Sequence, residues 1–298
     1  MFVKNWGCID MQIGLIDIDS KIPNIALMKL SAHHKSQGDD VEWWKGVLFH
    51  KKYDKVYASK VFDFTEMPYD IPDDIEIGGT GYDLKKELPD EIEYRCPDYS
   101  LYPECDYSIG FYTRGCIRKC KFCKVPEKEG DIQFHQRMDG FENINGKYWV
   151  FLDNNVFAYK NVESFLQEII YRQIKIDFNQ GTDIRLVTTR IAELIAKIKW
   201  NTFYRFSFDW IGMSDIIKEK VQLISSFGLK PYKMFCYVLI GYNTTESEDM
   251  DRVELLRNLG VNPFVMPYNK ANNYQKKFAR WVNHKAIFKS VKWENYKG

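Results

Sequence analysis

Tyr112-Thr113-Arg114-Gly115-Cys116-Ile117-Arg118-Lys119-Cys120-Lys121-Phe122-Cys123 is the stretch on which the reading of this chain turns. Three of the seven cysteines fall here, spaced C-x3-C-x2-C, while the others stand apart at positions 8, 96, 105 and 236. An odd count does not close into a disulfide framework, and such clustering points to metal binding or redox chemistry. Thiolates are the usual ligands of iron-sulfur clusters, and short intervals let one segment wrap a single cluster. Arg118, Lys119 and Lys121 lie among the cysteines and are expected to lower their thiol pKa values and offset the charge of a thiolate-bound cluster. A zinc site completed by Cys105 or His135 is the competing account. Typical zinc sites pair two C-x2-C units, and this chain has no second one.

Working outward, residues 107–112 read as a strand leading directly into the cysteines, and strand and helix alternate after them. Residues 148–153 predict a second strand. Residues 175–178 with 184–187 predict a third strand region, 203–208 a fourth, 234–240 a fifth and 262–266 a sixth. Apolar residues at 162, 165, 166, 169 and 170 predict a helix, and further helices are expected over 191–198, 216–227 and 248–259, the last ended by Gly260. Six strands separated by helices imply an α/β domain, with a parallel sheet that is open or curled into part of a barrel.

The motif and strand count together resemble the radical S-adenosylmethionine (SAM) superfamily. Its signature is C-x3-C-x-aromatic-C on the loop after the first strand of a partial (β/α)6 barrel, and Phe122 supplies the aromatic. The resemblance covers roughly residues 105–270. It implies that Cys116, Cys120 and Cys123 bind three irons of a [4Fe-4S] cluster whose fourth iron chelates SAM. Reductive cleavage would then give methionine and a 5′-deoxyadenosyl radical that abstracts a substrate hydrogen, with electrons from a reductase or a flavodoxin- or ferredoxin-type donor. By position, Asp153, Asn154 and Asn155 would meet the SAM amine, although the wording departs from the family's Gly-Gly-Glu-like motif. An ordinary strand-ending turn explains the same residues. Gln180, Asp183 and Arg185 are candidates for contact with SAM or substrate, against a surface Asp183–Arg185 salt bridge. Ser207 and Asp209 would meet the ribose, and Gly241 closes the strand expected at the adenine.

Before this region, residues 11–17 predict a strand and Pro23-Asn24 the start of a helix ended by Gly38. With strands expected over 41–44, 55–61 and 75–77, residues 1–104 read as a small Rossmann-like α/β domain and linker. Residues 83–106 carry no sustained period. The domain resembles the cobalamin-binding-like (B12-binding) module of one superfamily branch, whose cobalt-ligating motif is Asp-x-His-x-x-Gly. Here the corresponding loop reads Asp17-Ile18-Asp19-Ser20-Lys21-Ile22, so no histidine-ligated cobalamin is expected. His33 and His34 fall inside the following helix. Gly78-Gly79-Thr80-Gly81 follows a short strand as a phosphate-approaching loop would, but it lacks the full G-x-G-x-x-G spacing and reads equally as a plain turn.

Residues 271–298 mix lysines and arginine with Tyr274, Phe278, Trp281, Phe288 and Trp293. This tail either packs as an amphipathic helix or binds nucleic acid, which would make the chain a non-catalytic iron-sulfur or zinc protein. The 298 residues are 45% hydrophobic with a net charge of +1, so a large core is affordable and no whole-protein field attracts nucleic acid. No apolar run reaches the length of a bilayer span, and the N-terminus resembles neither a signal nor a transit peptide. A cytoplasmic protein without a membrane partner is expected. Without a second cysteine cluster, the expected substrate is a nucleic-acid base or a small metabolite.

Overall fold

The computed structural model describes residues 10–298. Cys8 and the N-terminal segment read above for targeting signals lie outside the described residues. The fold is mixed α/β with several parallel sheets, and the chain divides into two compact units. One comprises the described residues up to Gly110 together with Gln136–Lys147, the other Phe111–His135 with Tyr148–Gly298. Among the described residues no helix is long and apolar enough to cross a membrane.

In the first unit, strands β1 (Gln12–Asp17), β2 (Asp40–Trp43), β3 (Lys55–Ser59) and β4 (Glu76–Gly78) form a parallel sheet in the order β2-β1-β3-β4. Helix α1 (Ile25–Gln37) starts where the Asn24 side chain accepts the Leu27 N–H. It stops where the Gly38 N–H reaches the His34 and Lys35 carbonyls. Leu27, Met28 and Leu30 of α1 pack with Ile13 and Leu15 of β1. Each such burial contributes roughly 1.5–3 kcal/mol, more than the ~1 kcal/mol of the cap, so packing rather than propensity holds the helix.

His33 and His34 are both buried in this unit. The His34 ring lies 2.6 Å from Asp39 Oδ2 and 3.0 Å from the Tyr57 hydroxyl. Burial, with the neighbouring His34, pushes the His33 pKa down. The aperiodic region after β4 is also ordered: α2 (Asp90–Glu93) sets Glu93 3.0 Å from Lys29, and Asp98 accepts from Ser31 and Lys35. Strand β5 (Tyr107–Gly110) completes the unit. Gly79 and Gly81 are packing glycines, because a Cβ would stand 2.3 Å from the Lys60 carbonyl oxygen and 2.4 Å from the Phe62 backbone.

In the second unit, β6 (Thr113–Arg114) and β7 (Gln133–Phe134) pair antiparallel around the cysteines and α3 (Val125–Lys128). Strands β8 (Tyr148–Phe151), β9 (Lys175–Phe178) and β10 (Lys199–Trp200) run parallel, as do β11 (Tyr204–Ser207), β12 (Met234–Ile240) and β13 (Asn262–Pro267). A single parallel bridge, Thr182 to Phe206, links the segment after β9 to β11. Helices α4 (Val162–Tyr171), α5 (Thr189–Lys197), α6 (Ser214–Ser226) and α7 (Glu246–Leu259) lie between strands. Their apolar faces, among them Phe165, Leu194, Ile217 and Leu256, are buried, as are Phe151, Phe178 and Phe206 of the strands.

One expectation is corrected here. Residues 184–187 are not strand: Ile184–Leu186 is a 3-10 turn, because the Asp183 carboxylate caps it by accepting the Arg185 N–H. Instead β10, too short to carry a period, pairs with β9. At the C-terminus, α8 (Asn273–Asn283) and α9 (Lys285–Ser290) bury Phe278, Trp281 and Phe288. The Trp281 ring lies 5.0 Å from Phe288 and 5.4 Å from Trp293. These rings are taken up by packing, while Lys276, Lys277, Lys285 and Lys289 are exposed.

Candidate metal and cofactor site

The cysteine loop is closed at its base. Beyond the β6–β7 pairing, the Cys116 N–H donates to the Gly130 carbonyl at 3.1 Å. Glu129 accepts from the Gly115 N–H at 3.1 Å and from Arg114 Nη1 at 2.9 Å, and also from the Asn154 side chain. One carboxylate therefore fastens both ends of the loop to the residue after β8. Gly115, at φ +82°, is required by this closure, since a Cβ would stand 2.3 Å from the Asp131 carbonyl oxygen.

Asp153 anchors the start of the same loop. Its buried carboxylate accepts the Tyr112 N–H at 3.0 Å, the Thr113 N–H at 2.5 Å and the Thr113 hydroxyl at 2.6 Å. Burial raises its pKa and the Thr113 and Tyr112 hydrogen bonds lower it, leaving it pushed up from 3.8 to about 6. An acid whose folded-state pKa exceeds its unfolded value holds its proton more tightly when folded, so stability is lost as pH rises through that window. The loss approaches about 3 kcal/mol by neutrality. In Asp153→Asn this titration is absent. Denaturant unfolding of both proteins between pH ~4 and ~7 is expected to show wild type losing about 2–3 kcal/mol relative to the variant. Parallel pH profiles would refute the shift.

Cys116, Cys120 and Cys123 are all half-buried; Cys120 feels both other thiols of the set and Cys123 feels Cys116. Cys116 Sγ accepts the Arg118 N–H and Asn155 Nδ2, each at 3.3 Å. For Cys120 and Cys123 the expectation that basic neighbours lower the thiol pKa is not met. Burial pushes Cys120 and Cys123 up, and Asp209 acts in the same direction. The reason is geometric: the Arg118 guanidinium is turned to Asp183, at 2.8 Å. Of the basic groups, Arg185 pulls the Cys120 pKa down.

Of the polar residues expected after the strands, Asn154, Asn155, Asp183, Arg185 and Asp209 gather around this loop. Asn155 is buried, and its Oδ1 has no hydrogen-bond partner among the described residues. Asp183 takes Arg185 at 2.6 Å and Arg118 at 2.8 Å. Burial alone would raise its pKa, but these two guanidiniums outweigh burial and hold it below the ordinary carboxylate value. Asp183–Arg185 is thus no surface pair. Ser207 Oγ lies 3.4 Å from Asp209, whose pKa burial pushes up against the opposing charge of Arg185. Gln180, expected to contact SAM or substrate, is instead exposed, while the carbonyl of its neighbour Asn179 accepts the Tyr237 hydroxyl at 2.8 Å. The Gly241 N–H donates to Thr244 at 3.0 Å. Phe122 meets Tyr242 edge to face with ring centres 5.3 Å apart, and Tyr242 meets Tyr268 at 4.9 Å.

Sequence reading missed Glu129, Thr113 and Tyr242. The Pro126 helical turn ending at Gly130 was the one available signal that the loop closes near Glu129. Among the described residues, no three His, Cys, Asp or Glu side chains converge as ligands of one ion. The donor set nevertheless fits a thiolate-ligated group: three half-buried thiols on one closed loop, beside an orphaned, buried amide oxygen. No protein-family profile matches the chain, and no curated protein matches its sequence.

Proposed function

We propose that this chain is a radical SAM enzyme whose [4Fe-4S] cluster is ligated by Cys116, Cys120 and Cys123. The observation that carries the reading is the C-x3-C-x-Phe-C loop fastened to residues that follow β8 and β9, with Asn155 on Cys116 and Arg118 on Asp183. In this reading β8, β9, β11, β12 and β13 of the second unit are strands of a partial (β/α)6 barrel. The first unit is a B12-binding-like Rossmann domain without a ligand histidine, and its β2-β1-β3-β4 order supports that assignment. Asp19, in the loop where the cobalt ligand would stand, is spent on the Val61 and Phe62 N–H groups at 2.7 and 2.9 Å.

When bound, the cluster would supply the electron that cleaves SAM into methionine and a 5′-deoxyadenosyl radical. The chain's own residues hold and orient. Asn155 Nδ2 donates to the Cys116 sulfur and leaves Oδ1 to accept from the SAM ammonium. Asp183 holds Arg118 and Arg185 in place, so that Arg185 presents positive charge beside Cys120. Ser207 and Asp209 offer hydroxyl and carboxyl oxygens to a ribose, while Phe122 and Tyr242 give an apolar wall that keeps water from a radical.

Anaerobic reconstitution with iron and sulfide is expected to load about four irons per chain. Dithionite reduction with SAM should then release 5′-deoxyadenosine, measured by chromatography. Zinc co-purifying with a chain that takes up no iron would end this reading.

A further inference from the structure

The cysteine-centred reading leaves the outer face of α8 and α9 unused. Gln275, Phe278, Ala279, Trp281 and Val282 turn one side of α8 to the interior. Lys276, Lys277 and Arg280 recur at helical spacing on the opposite side and are exposed. Lys285 and Lys289 of α9 are exposed as well, as is Lys292 just after it. Between residues 276 and 292 no aspartate or glutamate stands against these six. The chain holds 42 lysines and arginines and 41 acidic residues, so without the six it is net acidic by five. Positive charge in excess is therefore gathered on this face.

The face is built unlike the other charged helices of this unit. Glu193 of α5 takes Arg190 and Lys197, Asp215 of α6 takes Lys218, and Glu254 of α7 takes Arg257. None of the six makes an ion pair among the described residues. Asp249, which accepts from the Tyr274 hydroxyl at the start of α8, is already held by Arg252. Like charges stand instead at i and i+4, Lys276 with Arg280 and Lys285 with Lys289, which destabilises a helix. Lys285 also occupies the first turn of α9, where the peptide dipoles disfavour a cation. Solvation is served as well by mixed charges, so this arrangement points to an anionic partner.

The rest of the surface identifies that partner. A helix lying on an anionic membrane sets large apolar side chains beside its lysines. Here no large hydrophobic side chain beyond Tyr268 is exposed. Single-strand binders stack bases on aromatic rings. Phe278, Trp281 and Phe288 are buried, and Lys277 lies over the rings of Trp293 and Tyr296, at 5.5 and 6.0 Å. Phosphates remain, and a duplex presents about one such charge per 1.7 Å of its axis, twice that of either strand. We propose that the outer face of α8 and α9 binds the phosphate backbone of a nucleic-acid duplex without reading its sequence. DNA and RNA are the two sources of that backbone. Binding here needs no cluster, so this proposal and the radical SAM reading fail separately.

The full chain as purified is titrated by fluorescence anisotropy, over a salt series, against labelled DNA and RNA duplexes of about 20 base pairs and against their single strands. At least one duplex should bind more tightly than either single strand, and the tighter duplex assigns the source. With six phosphates contacted, log Kobs should fall against log salt with a slope of about −5. Lys276→Gln with Arg280→Gln, and Lys285→Gln with Lys289→Gln, should each weaken duplex binding at least about tenfold and reduce that slope by about two. Lys218→Gln, on α6 and outside this face, should bind as wild type does. All the changed side chains are exposed, and far-UV circular dichroism checks that each variant folds. Vesicles of phosphatidylserine and phosphatidylcholine should leave the chain in the supernatant at the salt where the duplex binds. The proposal is overturned if no duplex binds, if a single strand matches or exceeds both duplexes, if the vesicles sediment the chain at that salt, or if both double variants keep the wild-type affinity and slope.

Discussion

Alanine in place of Cys116, Cys120 or Cys123 is expected to leave the reconstituted chain with background iron and to abolish 5′-deoxyadenosine release. A cluster on three protein thiolates has no redundancy, so loss of one leaves a single loop with two donors. Fold stability should hardly move, because the three side chains are half-exposed and lie outside the buried core. The melting curve by circular dichroism is therefore the control. Asn155→Ala, which removes a donor to Cys116 Sγ at 3.3 Å, should cost less, roughly 10–100-fold in iron affinity. The remaining cysteines separate chemistry from packing. Cys96 is exposed and Cys236 fully buried, with its thiol pushed well up by burial. Cys96→Ala should keep full iron content, and Cys236→Ala should lose stability without losing iron. Iron retained by any single loop variant, or lost equally by Cys96→Ala, would sink the assignment of ligands.

What the sequence made legible follows from what its signals encode. Helix α1 was readable at both ends because Asn24 and Gly38 act within a few residues of themselves. Strand β12 was readable because its apolar run, Met234–Ile240, is long enough to carry a pattern. The cysteine spacing was readable because it is local chemistry. The loop's closure was not: Glu129 reaches Gly115 and Asn154, and Arg118 reaches Asp183, across separations of 14, 25 and 65 residues. Strands β6, β7 and β10 have two residues each, fewer than any period needs. The thiol pKa expectation failed for a related reason. Nearness in sequence put Arg118 beside the cysteines, but the fold turned its charge to a carboxylate and let burial decide.

The largest expected stability loss falls on Arg252, a residue with no sequence signal. Both it and Asp249 are buried, at 0% and 1% exposure, and their charges meet at 2.6 Å. The same guanidinium donates to the Phe208 and Leu239 carbonyls, each at 2.8 Å. Helix α7 is thereby tied to the carboxyl ends of β11 and β12, next to Asp209 and Gly241. Arg252→Met keeps much of the volume but strands a buried carboxylate, a change that costs about 3–5 kcal/mol. For a chain of this size the melting temperature should fall by roughly 5–8 °C. Adding Asp249→Leu removes the stranded charge, and replacing a whole buried pair by apolar groups is often neutral. Recovery here should nonetheless be partial, because two carbonyls stay unpaired at about 1–3 kcal/mol each. Urea unfolding of wild type, both single variants and the double variant closes the cycle. Full recovery in the double variant would show that the two carbonyls find water, and an undiminished Arg252→Met would show that the pair is not desolvated at all.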